Sequence, residues 1–208
     1  MWSKYDIQPR PSKFDDLLGD VDSRLPKRHV YLVNDDNISS THECTHGINA
    51  NIRNGLQQQT SIRHNAFYIG YGVYWGVPEF ARFKLKDVAD LVPSKYRDST
   101  YRLYMINMQR YWNDRPLYIL DECCAYLNGT KYGVAKNWPD KTRLSYSWTN
   151  GTKFLYYTTL MNENLSNEEE RASIRQFWQY CNSHYESLLG YCPQADTTFF
   201  DLANNDKS

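Results

Sequence analysis

Neither sign of charge is in excess: 24 Lys and Arg balance 24 Asp and Glu, so the formal net charge is zero. A protein that grips nucleic acid by neutralising phosphates, or that lies on an anionic membrane, needs a basic surplus, and none exists globally. Long apolar runs are missing as well. Nothing approaches the ~20 apolar residues of a membrane-spanning helix, and mean hydropathy is −0.74. Cysteine is scarce and odd in number, five at irregular spacing without a C-x-x-C pair, which does not describe a disulfide scaffold. There is no internal repeat and no low-complexity tract.

Aromatic side chains are what the chain has in quantity: 18 Tyr, 6 Trp and 8 Phe. They carry the apolar load and argue against disorder. A length of 208 residues suits one domain, able to bury about 70% of its unfolded surface. The opening Met1-Trp2-Ser3-Lys4-Tyr5 shows no basic-then-apolar leader. Four N-x-S/T sequons, at Asn37, Asn128, Asn150 and Asn164, stand against the roughly two that composition gives by chance. Compartment and oligomeric state therefore stay open.

Pro9, Pro11 and Pro26 among alternating charges mark residues 1–27 as an arm lying over a single domain formed by 28–208. Residues 29–33 read as a short strand before a turn cluster at 34–37. Ser39, Ser40 or Thr41 can cap a helix running to about Asn54, with Gly55 as its stop. Residues 67–75 are aromatic and β-branched with Gly70 and Gly72 inside, which predicts a strand or hairpin. Helices are expected over 84–92, closed by Pro93, over 100–112, and from Pro116 to Leu127 with Asn128-Gly129 as the stop. Tyr104, Met105, Met108, Tyr111 and Trp112 form the core face of the second of these. The stretch 132–152 reads as loop and turn, 154–161 as either strand or helix. Ser166 opens a long helix to about Leu189, its acidic start at 168–170 favoured by the helix dipole. The sum is a mostly helical α+β domain with a small sheet.

Chemistry concentrates in His42-Glu43-Cys44-Thr45-His46. A spacing of four stacks both imidazoles on one helix face, within reach of a single ion. Glu43 projects about 100° round from His42, where it can hold a metal's water without becoming a ligand. Composition alone would produce this pattern ~0.005 times per chain. Cys44, Ile48 and Ile52 form an apolar stripe pointing away from the histidines, while His42, His46, Asn49 and Arg53 share the opposite face. Cys44 therefore reads as packing.

Zinc catalysis needs three protein ligands and an open position. The third ligand is expected in Leu120-Asp121-Glu122-Cys123-Cys124-Ala125-Tyr126. Glu122 shares a face with Tyr118 and Tyr126, while Leu120, Cys124 and Leu127 point away, and Ala125 is small enough for a close helix approach. Asp121 and Cys123 remain alternatives.

These two segments resemble the zincin metallopeptidases, and within them the gluzincins, whose third ligand is a glutamate. The resemblance covers residues 39–55 and 116–128. It implies a zincin-like fold built round the HExxH helix and one zinc per chain, held by His42, His46 and Glu122. Glu43 would then be the general base, and a peptide or protein the substrate. The chain departs from the thermolysin pattern in the long gap between His46 and Glu122, and in having Tyr126 where an acid would stand. The extended H-E-x-x-H-x-x-G-x-x-H form fails, since position 49 is Asn and position 52 is Ile. Peptide deformylases carry H-E-C-D-H but draw a Cys ligand from upstream, and residues 1–41 contain no cysteine.

A transition-state donor in such sites is a His or Tyr. Tyr126, one turn from Glu122, is the first candidate, with Tyr68, Tyr132 and His64 behind it. His29 and His184 read as structural. Segment 67–75 either offers an edge to substrate backbone or is an internal strand whose glycines serve a bulge or packing. The rival functions are a zinc amidase acting on a non-protein amide and a non-catalytic protein with a structural metal.

Overall fold

The structure, a computed structural model, describes residues 2–4, 16–26, 36–80 and 82–205. Its order is β1 (Trp2–Lys4), α1 (Asp16–Arg24), α2 (Asn37–Thr60), β2 (His64–Gly70), β3 (Val73–Pro78), α3 (Leu85–Leu91), α4 (Ser99–Tyr101), α5 (Gln109–Trp112), α6 (Tyr118–Ala135), α7 (Lys141–Asn164), α8 (Glu168–Leu188) and α9 (Thr198–Asn205). The protein is mostly helical with a small sheet, in agreement with the α+β expectation. The strand expected at 29–33 lies outside the described residues, as does His29. Among the described residues no helix is long and apolar enough to cross a membrane.

The histidine helix forms, but its ends differ from expectation. Asp36 is the N-cap, its carboxylate accepting from the Ile38 and Ser39 amides at 3.1 Å, so the first turn starts before the candidate Ser and Thr residues. At the other end α2 passes through Gly55, where an added Cβ would meet nothing within 4 Å. Leu56 and three glutamines carry it on to a left-handed Ser61, where the orphaned last carbonyls are satisfied. The stripe of Cys44, Ile48 and Ile52 is buried as predicted.

The sheet is antiparallel in the order β1-β3-β2, with Trp75 of β3 paired to both Trp2 and Phe67. Tyr71 and Gly72 turn the hairpin, both at positive φ, the handedness that matches strand twist. The outer edge of β2 is not free at its middle. The Tyr68 amide donates to Asn49 Oδ1 at 2.7 Å, and its carbonyl accepts from Asn128 Nδ2 at 2.8 Å and Cys124 Sγ at 3.0 Å. Side chains of α2 and α6 thus occupy the edge that substrate backbone would use, and that reading is withdrawn.

Helix α6 runs straight through Asn128-Gly129, against the expected stop. Here the pair serves packing: a Cβ on Gly129 would meet the Ile38 carbonyl oxygen at 2.9 Å, and one on Gly133 would meet Leu144 and Ile38 side chains under 3 Å. Tertiary contact with α2 overrides the local turn signal. Residues 132–152, expected as loop, are mostly helix, because Asp140 caps α7 by accepting from the Arg143 amide at 2.9 Å. The ambiguous 154–161 is helical within α7, and α8 begins after an Asn167 cap close to the predicted start. In the run 99–112, Arg102–Asn107 is π-helical. Its wider turn rotates the residues after it, so Tyr111 leaves the expected core face and is 61% exposed, while Met105 within the turn is buried.

Most of the helices share one apolar core with Phe67 and Trp75 of the sheet. A second cluster joins Leu17, Leu18 and Val21 of α1 to Cys44, Ile48 and Ile52 of α2 and to Tyr68 and Tyr74. Part of the N-terminal arm is therefore a helix with a buried face.

Glu79, just past β3, gives a stability prediction. Burial pushes its carboxyl up to about 7, against the Leu117 amide, Arg115, Asn65 and Arg53, and its Oε2 has no hydrogen-bond partner. A folded-state value above the unfolded 4.5 means the contribution to stability is full below the unfolded value and lost as pH rises towards 7. Glu79→Gln should remove that slope and leave the variant more stable than wild type at pH 8, by up to about 3 kcal/mol. Urea unfolding of both proteins across this range, with chelator present, measures the difference. Parallel curves would show that Glu79 titrates like an exposed glutamate.

Candidate metal centre

Four residues apart on α2, His42 and His46 turn their Nε2 atoms to within 3.0 Å of each other, their rings edge to face. From α6, Glu122 meets them, its Oε2 3.6 Å from His42 Nε2 and its Oε1 3.6 Å from His46 Nε2. Zinc held tetrahedrally at its usual bond lengths of ~2.0–2.1 Å spaces its ligand atoms about 3.3 Å apart. The observed separations straddle that figure. The glycines of α6 let the two helices approach closely enough to set it.

The neighbouring carboxylate has a different task. Asp121, 1% exposed, places Oδ1 2.8 Å from His46 Nδ1 and accepts there from Asn49 Nδ2 at 2.7 Å, while its Oδ2 accepts from Arg53 Nη1 at 3.2 Å. An Nδ1–H held by a carboxylate leaves the Nε2 lone pair for a metal. Asp121 thus lies on the Nδ1 side of His46, outside the group of His42, His46 and Glu122. Cys123 is buried beside Cys181 and Tyr185, away from the centre.

Burial and neighbouring charges push the two histidines in opposite directions. Burial holds His42 well below its ordinary range, with the charges of His46 and Arg143 adding to it. Burial also pulls His46 down, but Glu122 and then Asp121 outweigh it and hold the imidazole well above that range. Burial raises Glu122, opposed by His46. Two buried atoms here, His42 Nδ1 and Glu122 Oε2, have no hydrogen-bond partner. Once His46 gives up its proton, its Nε2 joins that of the neutral His42 and the half-unpartnered Glu122 carboxylate in an acceptor set that a positive ion would complete. His42, His46 and Glu122 form a group able to hold a metal ion, their ligand atoms all within 4.8 Å.

Beside the centre lies a polar cleft of about 170 Å³ lined by His42, Glu43, Tyr104, Tyr126, Arg143 and Tyr146, among others. Glu43 is exposed to it. The Tyr126 ring packs edge-on against His42, centroids 4.3 Å apart, and Tyr104 lines the same cleft. Burial raises both phenols well above the usual range, so each keeps its proton.

All five predicted site residues, His42, Glu43, His46, Glu122 and Tyr126, meet at this place. The other donor candidates do not. Tyr68 is buried with its hydroxyl on Asp20, Tyr132 reaches Asn37, and His64 bonds the Ile62 carbonyl at the start of β2. His184 packs against Tyr180, apart from the centre. Sequence reading missed Tyr104, assigned there to the core, and Arg143 and Tyr146, assigned to a loop. Asn49 and Arg53 were visible on the histidine face, though not as the frame of a carboxylate. Comparison of the chain with models of known families, with curated proteins and with solved structures finds no match in any of the three.

Proposed function

We propose that this chain is a zinc-dependent metallopeptidase of gluzincin type with a zincin-like active-site helix. The observation that carries the reading is the convergence of His42 Nε2, His46 Nε2 and the Glu122 carboxylate, at 3.0–3.6 Å, on the wall of a cleft that also exposes Glu43. Zinc there would supply Lewis acidity, acidifying a water and polarising a carbonyl. His42 brings a neutral nitrogen donor, His46 one that gives up its proton on binding, and Glu122 brings charge. Glu43 takes a proton from the attacking water on its carboxylate and returns it to the leaving nitrogen. The Tyr126 hydroxyl, which keeps its proton, donates to the oxyanion that develops on the carbonyl.

The rival of a purely structural metal calls for a fourth protein ligand. Among the described residues the group contains three, and the neighbouring acid faces the cleft, which favours catalysis. Cleavage of an amide outside a peptide chain would use the same residues, so substrate trials decide between these two. Elemental analysis should find about one zinc per chain, and hydrolysis of an unstructured protein should stop with chelator and return with zinc. Stoichiometric zinc retained by a His42→Ala/His46→Ala double variant would place the metal elsewhere and sink the proposal.

A further inference from the structure

A second groove, of about 450 Å³, opens between the start of β2 and the segment leading from α5 into α6. Arg63, Arg110 and Arg115 line it, all exposed. The acid in its lining, Asp114, is engaged with Lys84 at 2.8 Å. Lys84 chiefly holds that carboxyl below its usual range, and the fields of Arg63 and Arg115 add to it. The groove thus holds three guanidiniums and a single carboxylate that Lys84 already engages.

Its frame is joined by ring contacts to the candidate metal centre. Trp112 and Tyr118 stack in parallel, 4.8 Å apart with 11° between planes. Arg53 lies over the Tyr118 ring at 4.8 Å while holding the Asp121 carboxylate that orients His46. Trp112 also packs against Tyr104, a wall of the metal cleft. Asn113 is pinned by the Leu85 and Lys86 amides, which donate to its backbone and side-chain oxygens at 3.0 and 3.1 Å. One aromatic partition therefore separates two grooves, one with the ligand set and the other with arginines.

Guanidinium forks match carboxylates in geometry, and aromatic faces beside them hold the aliphatic part of a glutamate or aspartate side chain. We infer that this groove is a subsite for acidic side chains of a peptide whose backbone continues into the metal cleft. The inference rests on the peptidase reading and adds the substrate class to it. The small volume and the chain's zero net charge favour one or two carboxylates over a nucleic-acid strand, which needs an extended basic track.

The test uses the full zinc-loaded chain carrying Glu43→Gln, so that peptide is bound and not consumed. Fluorescein-labelled peptides identical except for Glu or Gln at several positions are titrated by anisotropy. The Glu peptide should bind about tenfold more tightly and lose this advantage as salt rises. Arg63→Gln and Arg110→Gln, made separately, should each shrink the preference while zinc content stays unchanged. Equal binding of the two peptides overturns the subsite, and so does a preference untouched in both variants. Tighter binding of a single-stranded oligonucleotide than of the Glu peptide also overturns it. A clear preference in a protein whose wild type cleaves no peptide would keep the subsite and remove the peptidase reading. Cleavage without preference would do the reverse.

Discussion

Glu43→Gln should lower hydrolytic turnover by ~10²–10⁴ with zinc content unchanged. The substitution keeps size and hydrogen-bonding capacity but removes the ability to accept a proton. Glu43 sits next to His42 in sequence yet about a quarter-turn round the helix, exposed to the cleft and outside the group able to hold a metal ion. Loss of rate without loss of metal therefore separates a base from a ligand. Steady-state kinetics and elemental analysis on the same preparation make the measurement. Near-full turnover in the variant would assign the base elsewhere; loss of zinc would show that Glu43 is a ligand after all.

Glu122→Ala should strip the metal, and Asp121→Ala should weaken it by ~10–100-fold. The two neighbours on α6 differ in what they face. Glu122 turns both oxygens to the Nε2 side of the histidines at 3.6 Å. Asp121 meets the Nδ1 side of His46 at 2.8 Å and is held there by Asn49 and Arg53. Without Glu122 the site loses its only charged donor, so the affinity lost should exceed that in Asp121→Ala. Without Asp121 the His46 ring is free to turn or to change tautomer, a smaller loss. Competition of each variant against a zinc-binding dye gives the two affinities. The reverse order would mean that the wrong carboxylate has been assigned to the metal.

What was legible in the sequence was local. The i, i+4 histidines and the apolar stripe of Cys44, Ile48 and Ile52 belong to one helix, where a fixed rotation per residue turns spacing into direction. Glu122 was legible for the same reason, from its face on α6. The hairpin at 67–75 was also legible, because β-branched and aromatic residues round glycines leave few other conformations. Helix ends were read poorly. Gly55 and Asn128-Gly129 look like stops, but a stop signal is a small preference that neighbouring helix formers or a packed partner outweigh.

The site as a whole was decided by tertiary structure. Glu122 and His46 are far apart in the chain, and their 3.6 Å contact depends on α2 and α6 packing with only a glycine hydrogen between Gly129 and the Ile38 carbonyl. That packing also carries Asp121 to the back of His46 and closes the β2 edge with Asn49 and Asn128. Tyr104 from the π-helical turn, and Arg143 and Tyr146 from α7, reach the same cleft from two other stretches of the chain. None of this is periodic along the chain. Sequence spacing determines where a side chain points from its own helix; what it meets there depends on how closely the next helix can approach.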